Sequence, residues 1–171
     1  MKKLFLITLM SIMITSCEVQ SDTAQPSVIG YEFSDEGERM NILAGDTAMT
    51  KIWLEYVQAH NEKDLAKISE LNAPDIKIYQ SNGVVTSGNT SHKQLLSTWF
   101  ESSSPNWKVE WMVASTVTQN DGKFKYWLTT GNEITDVVDG EKTLIHSVLD
   151  VNIVDGKIKQ LNIYNRAKKT K

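Results

Sequence analysis

The chain holds three histidines and one cysteine, so few of its side chains can carry proton-transfer or nucleophilic chemistry near neutral pH. His60 ends an apolar helical repeat of Met49, Ile52, Trp53, Tyr56, Val57 and His60. An imidazole there titrates in a range useful to a general base, although a lone histidine on an apolar face more simply serves as a core or capping residue. Asp75, just after Ala73-Pro74, is the second candidate base, with capping or turning the chain as its plainer role. Tyr126 and Tyr164 can donate to a developing oxyanion, and Tyr164 is the donor that would complete a site with either base. His92 stands at the start of a helix and reads as solvated. Glu133 falls opposite His146 and reads as a cross-strand ion pair or part of a dimer surface. Three histidines and one cysteine do not make a structural zinc set, so neither a metal nor a cofactor is expected.

These residues are positioned by helices followed by a long strand meander. Asp46 is placed to cap the first helix. Asn61 to Asp64 interrupts the repeat, and Leu65, Ile68 and Leu71 mark a short second helix ended by Pro74. Ile76, Ile78 and Val84, Val85 flank Asn82-Gly83, a two-residue hairpin signal. Ser91 and Gln94 have capping-box spacing, and Leu95, Leu96, Trp99 and Phe100 form the stripe of a third helix. Asp121-Gly122, Asp139-Gly140 and Asp155-Gly156 then separate four strands, over residues 107–119, 123–137, 142–154 and 157–165. The fold class this predicts is α+β, with about three N-terminal helices on one face of a curved antiparallel sheet.

The turns also predict a register. If each Asp-Gly is a two-residue turn, Asn120 pairs with Lys123, Val138 with Glu141 and Val154 with Lys157. Counting outward puts Trp107, Val109, Trp111 and Val113 on the helix-facing side with Tyr126, Leu128, Ile134, Ile145 and Leu149. One row of that face is polar or aromatic: Trp111, Asn132, Ser147 and Tyr164, with Thr130 and Asn162 beside it. Together with Tyr56, Tyr126 and Trp111 these are the expected pocket-lining residues, since neutral donors among aromatics orient a mostly apolar ligand. The register places no Asp, Glu, His, Lys or Arg on the inner side of the last three strands. That favours binding over catalysis, because Asn, Ser and Thr do not change protonation near pH 7.

Lys plus Arg is 18 against 21 for Asp plus Glu, a net charge of −3. Without Lys2 and Lys3 the balance is −5, which gives nucleic acid no electrostatic reason to bind. Those two lysines open a leader whose apolar run, Leu4 to Ile14, spans eleven residues. At ~1.5 Å per residue it is too short for a ~30 Å bilayer core and reads as a secretory signal. Ile14-Thr15-Ser16-Cys17 resembles the lipobox of bacterial lipoproteins, in which the cysteine is lipidated and becomes the mature N-terminus. The expectation is an envelope protein anchored to a membrane through acyl chains such as palmitate on Cys17. Residues 1–16 are then the signal peptide, 17–45 a mostly irregular tether in which the weak alternation of Val28 to Phe33 suggests a short edge strand, and 46–168 the folded domain.

The helix pair IWLEYVQAHNEKDLAKISEL, the strand pair across SNGVVTSG, a third helix and four strands ending VDGKIKQLNIYN resemble the nuclear transport factor 2-like, or SnoaL-like, superfamily over about residues 46–166. The resemblance implies a sheet wrapped by helices into a cone with an apolar pocket, and homodimers through the outer sheet face. It implies no single activity, because the superfamily spans isomerases, dehydratases, epoxide hydrolases and non-catalytic binding domains. The reading is a lipid-anchored domain that binds a small apolar ligand, dimerises, or both. The alternatives are a dehydratase- or isomerase-type enzyme using His60 or Asp75 with Tyr164, and a protein–protein interaction module.

Overall fold

The computed structural model describes residues 27–119, 121–138 and 140–167, so the expected signal peptide, Cys17 and most of the expected tether lie outside the described residues. The first described element is a hairpin, β1 (Val28–Phe33) and β2 (Arg39–Ala44), where an irregular tether was expected up to residue 45. β2 joins the main sheet by pairing Ile42 with Val117 and Ala44 with Ser115 on β5 (Asn106–Thr118), so the sheet includes residues from Val28 onward. The short edge strand that the weak alternation of Val28 to Phe33 suggests is β1, whereas 34–45 is too mixed to announce β2; main-chain pairing with a distant partner supplies the missing stabilisation there.

The helices follow their apolar spacing. α1 (Ala48–Asn61) buries Met49, Trp53, Tyr56, Val57, Ala59 and His60. Asp46 Oδ1 accepts the Ala48 N–H at 2.7 Å, while the N-cap position itself belongs to Thr47. The turn Asn61-Glu62-Lys63-Asp64 is a structural joint. Asn61 offers its side-chain amide as a strand would, donating to the Trp107 carbonyl at 2.9 Å and accepting the Trp107 N–H at 2.7 Å. Lys63 takes φ +56 and sends its ammonium to the carbonyls of Phe100 and Ser103, at the C-terminus of α3 (Asn89–Ser102). A cation is favoured at that end by the helix dipole. Asp64 caps α2 (Leu65–Leu71) by accepting from Ala66 and Lys67.

β3 (Asn72–Tyr79), β4 (Val85–Ser87), β6 (Phe124–Val138), β7 (Glu141–Val154) and β8 (Lys157–Ala167) complete one eight-stranded sheet in the order β1-β2-β5-β6-β7-β8-β3-β4. It is mixed rather than wholly antiparallel, because β3 runs parallel to β8. The helices cover its inner face, where Trp53, Ile68, Ile76, Leu128, Leu149, Val151 and Ile158 are almost completely buried. Each such burial is worth about 1.5–3 kcal/mol relative to exposure.

The register departs from expectation at three places. First, Gln119 pairs with Lys123 and Gly122 N–H donates to the Gln119 carbonyl at 2.9 Å, so this connection has three residues and Thr118 sits opposite Phe124. Gly122 takes positive φ there and Asp121 does not, whereas Asp155 and Gly156 both do, which makes Asp155-Gly156 the expected two-residue turn. The Asn82-Gly83 connection is likewise longer, with Tyr79 paired to Val85. Second, Glu110 is a bulge, between the pairs Val109–Asn132 and Trp111–Gly131. Third, Lys159 is a bulge, between Ile153–Ile158 and Asn152–Gln160. An extra residue swaps the faces beyond it. Trp111, Val113, Asn162 and Tyr164 therefore sit on the outer face, while Val138–Glu141 keeps the expected pairing and Asn132 stays opposite Ser147.

Candidate functional site

A cavity of about 400 Å³ lies between α1, α3 and the inner face of β3, β6, β7 and β8. Ile78, Leu96, Ile134, Leu149, Leu161 and Ile163 supply its apolar wall, and the exposed residues Ser81 and Leu95 mark where it reaches the surface. Helical spacing on α1 turns Tyr56 and His60, one turn apart, to this same space. α3 contributes His92 and Trp99, and the start of β5, held by Asn61, contributes Trp107.

His60 is buried among rings: Tyr56 at 4.4 Å, Trp107 at 5.3 Å, Phe100 at 6.1 Å and His92 at 6.4 Å between centroids. Its Nδ1 lies 2.8 Å from the Tyr56 carbonyl, an acceptor only, so Nδ1 carries the proton and Nε2 keeps its lone pair. Burial pushes the imidazole down to about 4, against the smaller upward pull of that backbone bond. His92 was expected in solvent and is instead buried, because Asn72 claims it. The Asn72 amide donates to His92 Nδ1 at 3.0 Å and to Asn89 Oδ1 at 3.1 Å, and Asn89 in turn donates to the Ser69 carbonyl at 2.8 Å. His92 thus holds its proton on Nε2. Burial, and secondarily the nearby His60, push it down to about 3. Both imidazoles are neutral at pH 7, one in each tautomer.

Two residues of the cavity wall, Tyr56 and Trp107, carry further buried polar atoms. The Tyr56 hydroxyl is buried with no hydrogen-bond partner among the described residues, and burial raises its pKa far above the ordinary phenol value. The neighbouring Asn72 side chain acts in the opposite direction as the lesser cause, and its Oδ1, outside the cavity lining, has no close hydrogen-bond partner among the described residues. Trp107 Nε1 is a second buried donor, without an acceptor among the described residues. Trp99, by contrast, gives its indole N–H to Asp136 Oδ2 at 2.9 Å.

Asp136 corrects the expectation that the inner side of the last three strands carries no ionisable group. It shares the face of Asn132 and Ile134 on β6 and is buried, a placement the two-residue period already contained. Its oxygens accept from Trp99 and from the Val137 N–H at 2.8 Å, so the carboxylate acts on the wall residue Trp99 and does not itself line the cavity.

Of the residues expected to line the pocket, Tyr56 does so. Asn132, Thr130 and Ser147 face inward but are sealed beneath α1: Trp53 Nε1 donates to Asn132 Oδ1 at 3.3 Å, and Thr130 Oγ1 donates to the Trp111 carbonyl at 3.0 Å. Trp111, Asn162 and Tyr164 are on the outer face, Trp111 displaced by the register change at Glu110 and Asn162 and Tyr164 by the Lys159 bulge. Tyr126 is exposed beside Phe124, beyond the helices. Asp75 is exposed and ion-paired with Lys159, which holds its carboxyl below the usual carboxylate range. His146 lies 3.7 Å from Glu133 on the outer face.

A helix-wrapped, unclosed sheet with its cavity between the helices and the last strands can be matched to solved folds. The chain has the nuclear transport factor 2-like fold. An epoxide hydrolase of M. tuberculosis, described as LEH-like, superposes with a TM-score of 0.57 over 68% of this chain and 80% of its own, at 12% identity. A nuclear transport factor 2-like protein of Burkholderia xenovorans gives 0.55 over 72% and 92%, at 14% identity. A protein of Catenulispora acidiphila with a ketosteroid isomerase-like fold, solved with trimethylamine, gives 0.54 over 67% and 84%, at 10% identity. No family model and no curated protein matches the sequence. At such identities the nuclear transport factor 2-like likeness is one of fold, which fits ligand binding and enzyme catalysis alike.

Proposed function

We propose that this protein is a lipid-anchored protein of the bacterial envelope whose cone holds a small, mostly apolar, uncharged ligand. The anchor rests on Lys2, Lys3, the short apolar run and Ile14-Thr15-Ser16-Cys17. The observation that carries the ligand is the chemistry of the cavity wall: apolar and aromatic, with no Lys, Arg, Asp or Glu, and two imidazoles that burial keeps neutral. A charged ligand would lose its hydration there without gaining a counter-charge. The Trp107 N–H is a buried donor without an acceptor among the described residues, and the Tyr56 hydroxyl, with only the Asn72 side chain beside it, lines the same cavity, so a hydroxyl- or carbonyl-bearing hydrophobic molecule suits them.

Native mass spectrometry of the protein taken from its own envelope is expected to find a bound neutral molecule. Ile163→Trp, which fills the cavity from β8, should remove the added mass while leaving the circular dichroism spectrum unchanged. A wild-type protein that is repeatedly empty, and whose melting temperature no hydrophobic ligand raises, would overturn the reading.

A specific observation also favours an enzyme of the isomerase or dehydratase kind. The acceptor His60 and the donor Tyr56 face one cavity, and an imidazole pushed to about 4 has the basicity of an ordinary carboxylate. In that version Tyr56 takes the place given to Tyr164, and Asp75 has no part.

A further inference from the structure

Five large apolar side chains stand exposed together on one face at the β1 edge: Val28 57%, Tyr31 53%, Phe33 65%, Phe124 53% and Tyr126 40%. The register makes them neighbours. Val28 pairs with Leu43, Leu43 with Thr116 and Thr116 with Tyr126, a single row across four strands. In the next row Tyr31 pairs with Asn41, and Thr118, one step beyond the Ile42–Val117 pair, sits opposite Phe124. Tyr31 and Phe33 touch edge to face at 5.6 Å, and Arg39 stacks 4.3 Å over Tyr31. Tyr126 and Leu128 share a face of β6, so the patch continues the face that the helices cover farther along. Contiguous exposed apolar surface of this kind marks a contact.

The geometry points to the bilayer surface as the occupant: the β1–β2 hairpin and the start of β6 rest on the lipid head groups when Cys17 is anchored. This inference rests on the anchored reading above. Ten residues, 18–27, separate Cys17 from β1, a reach of at most roughly 35 Å at full extension, so the patch belongs to the described element nearest the anchor in sequence. The residues before it, EVQSDTAQP, offer Val19 as their one large apolar side chain and are poorly suited to cover it themselves. Tyrosine and phenylalanine, with an arginine beside them, are side chains suited to a membrane–water interface. The turn bearing Asp35, Glu36 and Glu38 is acidic, which selects a zwitterionic surface over an anionic one.

The full chain, processed in its own envelope and reconstituted into phosphatidylcholine vesicles, allows a direct test. Lipidation consumes the Cys17 thiol, so Asn41→Cys in the patch or Asn82→Cys at the β3–β4 turn provides the single thiol for a polarity-sensitive dye. Doxyl-labelled lipid is expected to quench the dye at 41 severalfold more than at 82, and Tyr31→Ser with Phe33→Ser should bring the two together. Equal quenching on a protein whose mature N-terminal peptide carries the lipid mass overturns the docking alone. An unmodified Cys17 overturns the anchor and the docking with it. A dye at 41 shielded from aqueous quencher but untouched by doxyl lipid, in a dimeric protein, assigns the patch to a second copy and overturns the bilayer contact.

Discussion

His60 and His92 are the cavity residues whose charge depends on pH, and their burial ties that charge to stability. Folded, they titrate at about 4 and about 3; unfolded, each returns to about 6.5. Between those values the unfolded chain binds more protons than the folded one, so stability rises with pH through the window. The contribution is fully present above pH ~6.5 and is lost as the pH falls toward the folded values. Urea unfolding should therefore find the protein weaker at pH 4.5 than at pH 7, by on the order of 2 kcal/mol for each histidine. His60→Gln and His92→Gln, made singly, should each flatten the profile, and a profile unchanged by both would mean that neither imidazole is buried. The α1 repeat announced His60 in the wall, but nothing near His92 in sequence announced its burial. Its partner Asn72 lies on another element, and only packing brings the two together.

At the scale of elements, the two bulges decide which side chains meet the helices. Lys159 is the extra residue that turns Leu161 and Ile163 inward on β8 and leaves Tyr164 outside. Deleting Lys159 should restore an unbroken register, send Leu161 and Ile163 to solvent and abolish cooperative unfolding, read as loss of the near-ultraviolet circular dichroism signal. Exchanging Lys159 for Ser keeps the residue count and should preserve the fold, losing only the solvent-screened ion pair to Asp75 and leaving the urea midpoint close to the wild-type value. A folded deletion variant would show that β8 can slide to recover its face. The other local joint, Asn61 to Asp64, was visible in the sequence only as an interruption of the helical repeat. Its side chains act on Trp107, Phe100 and Ser103, at distances in sequence that no local pattern reports.

For the whole molecule, the outer face of the sheet carries an apolar row, Trp111, Gly131, Val148 and Tyr164, directly paired across β5 to β8. Trp111 lies flat over Gly131, so close that a Cβ added there would be 2.2 Å from the indole nitrogen. Trp111, Val148 and Tyr164 are each more than a third exposed, and rows bearing Glu133–His146 and Thr129–Asp150 flank them. An apolar centre with a polar rim is the composition of a protein–protein contact, and we expect the chain to pair with itself here. Sedimentation velocity should find a dimer that Val148→Glu turns into a monomer without loss of helix or strand content. A wild-type monomer at tens of micromolar, by order of magnitude the range of a weak contact, would defeat the pairing.

Helix positions, the α+β class and the count of strands after residue 106 follow from the sequence, because apolar periods of 3.6 and 2 and the Asp-Gly pairs are local signals. So does the inward face of β6 and β7, whose shared turn has the expected two residues and whose pairing runs unbroken from Val138–Glu141. Tertiary structure alone decided the rest: the second strand of the hairpin before residue 45, the faces of Trp111 and Tyr164, and the place of the cavity. The reason is that strand faces alternate with every residue, so one extra residue at Glu110 or Lys159 reverses everything beyond it. Whether the chain accommodates that extra residue depends on the bend of the whole sheet around its helices, a property no single stretch of sequence contains.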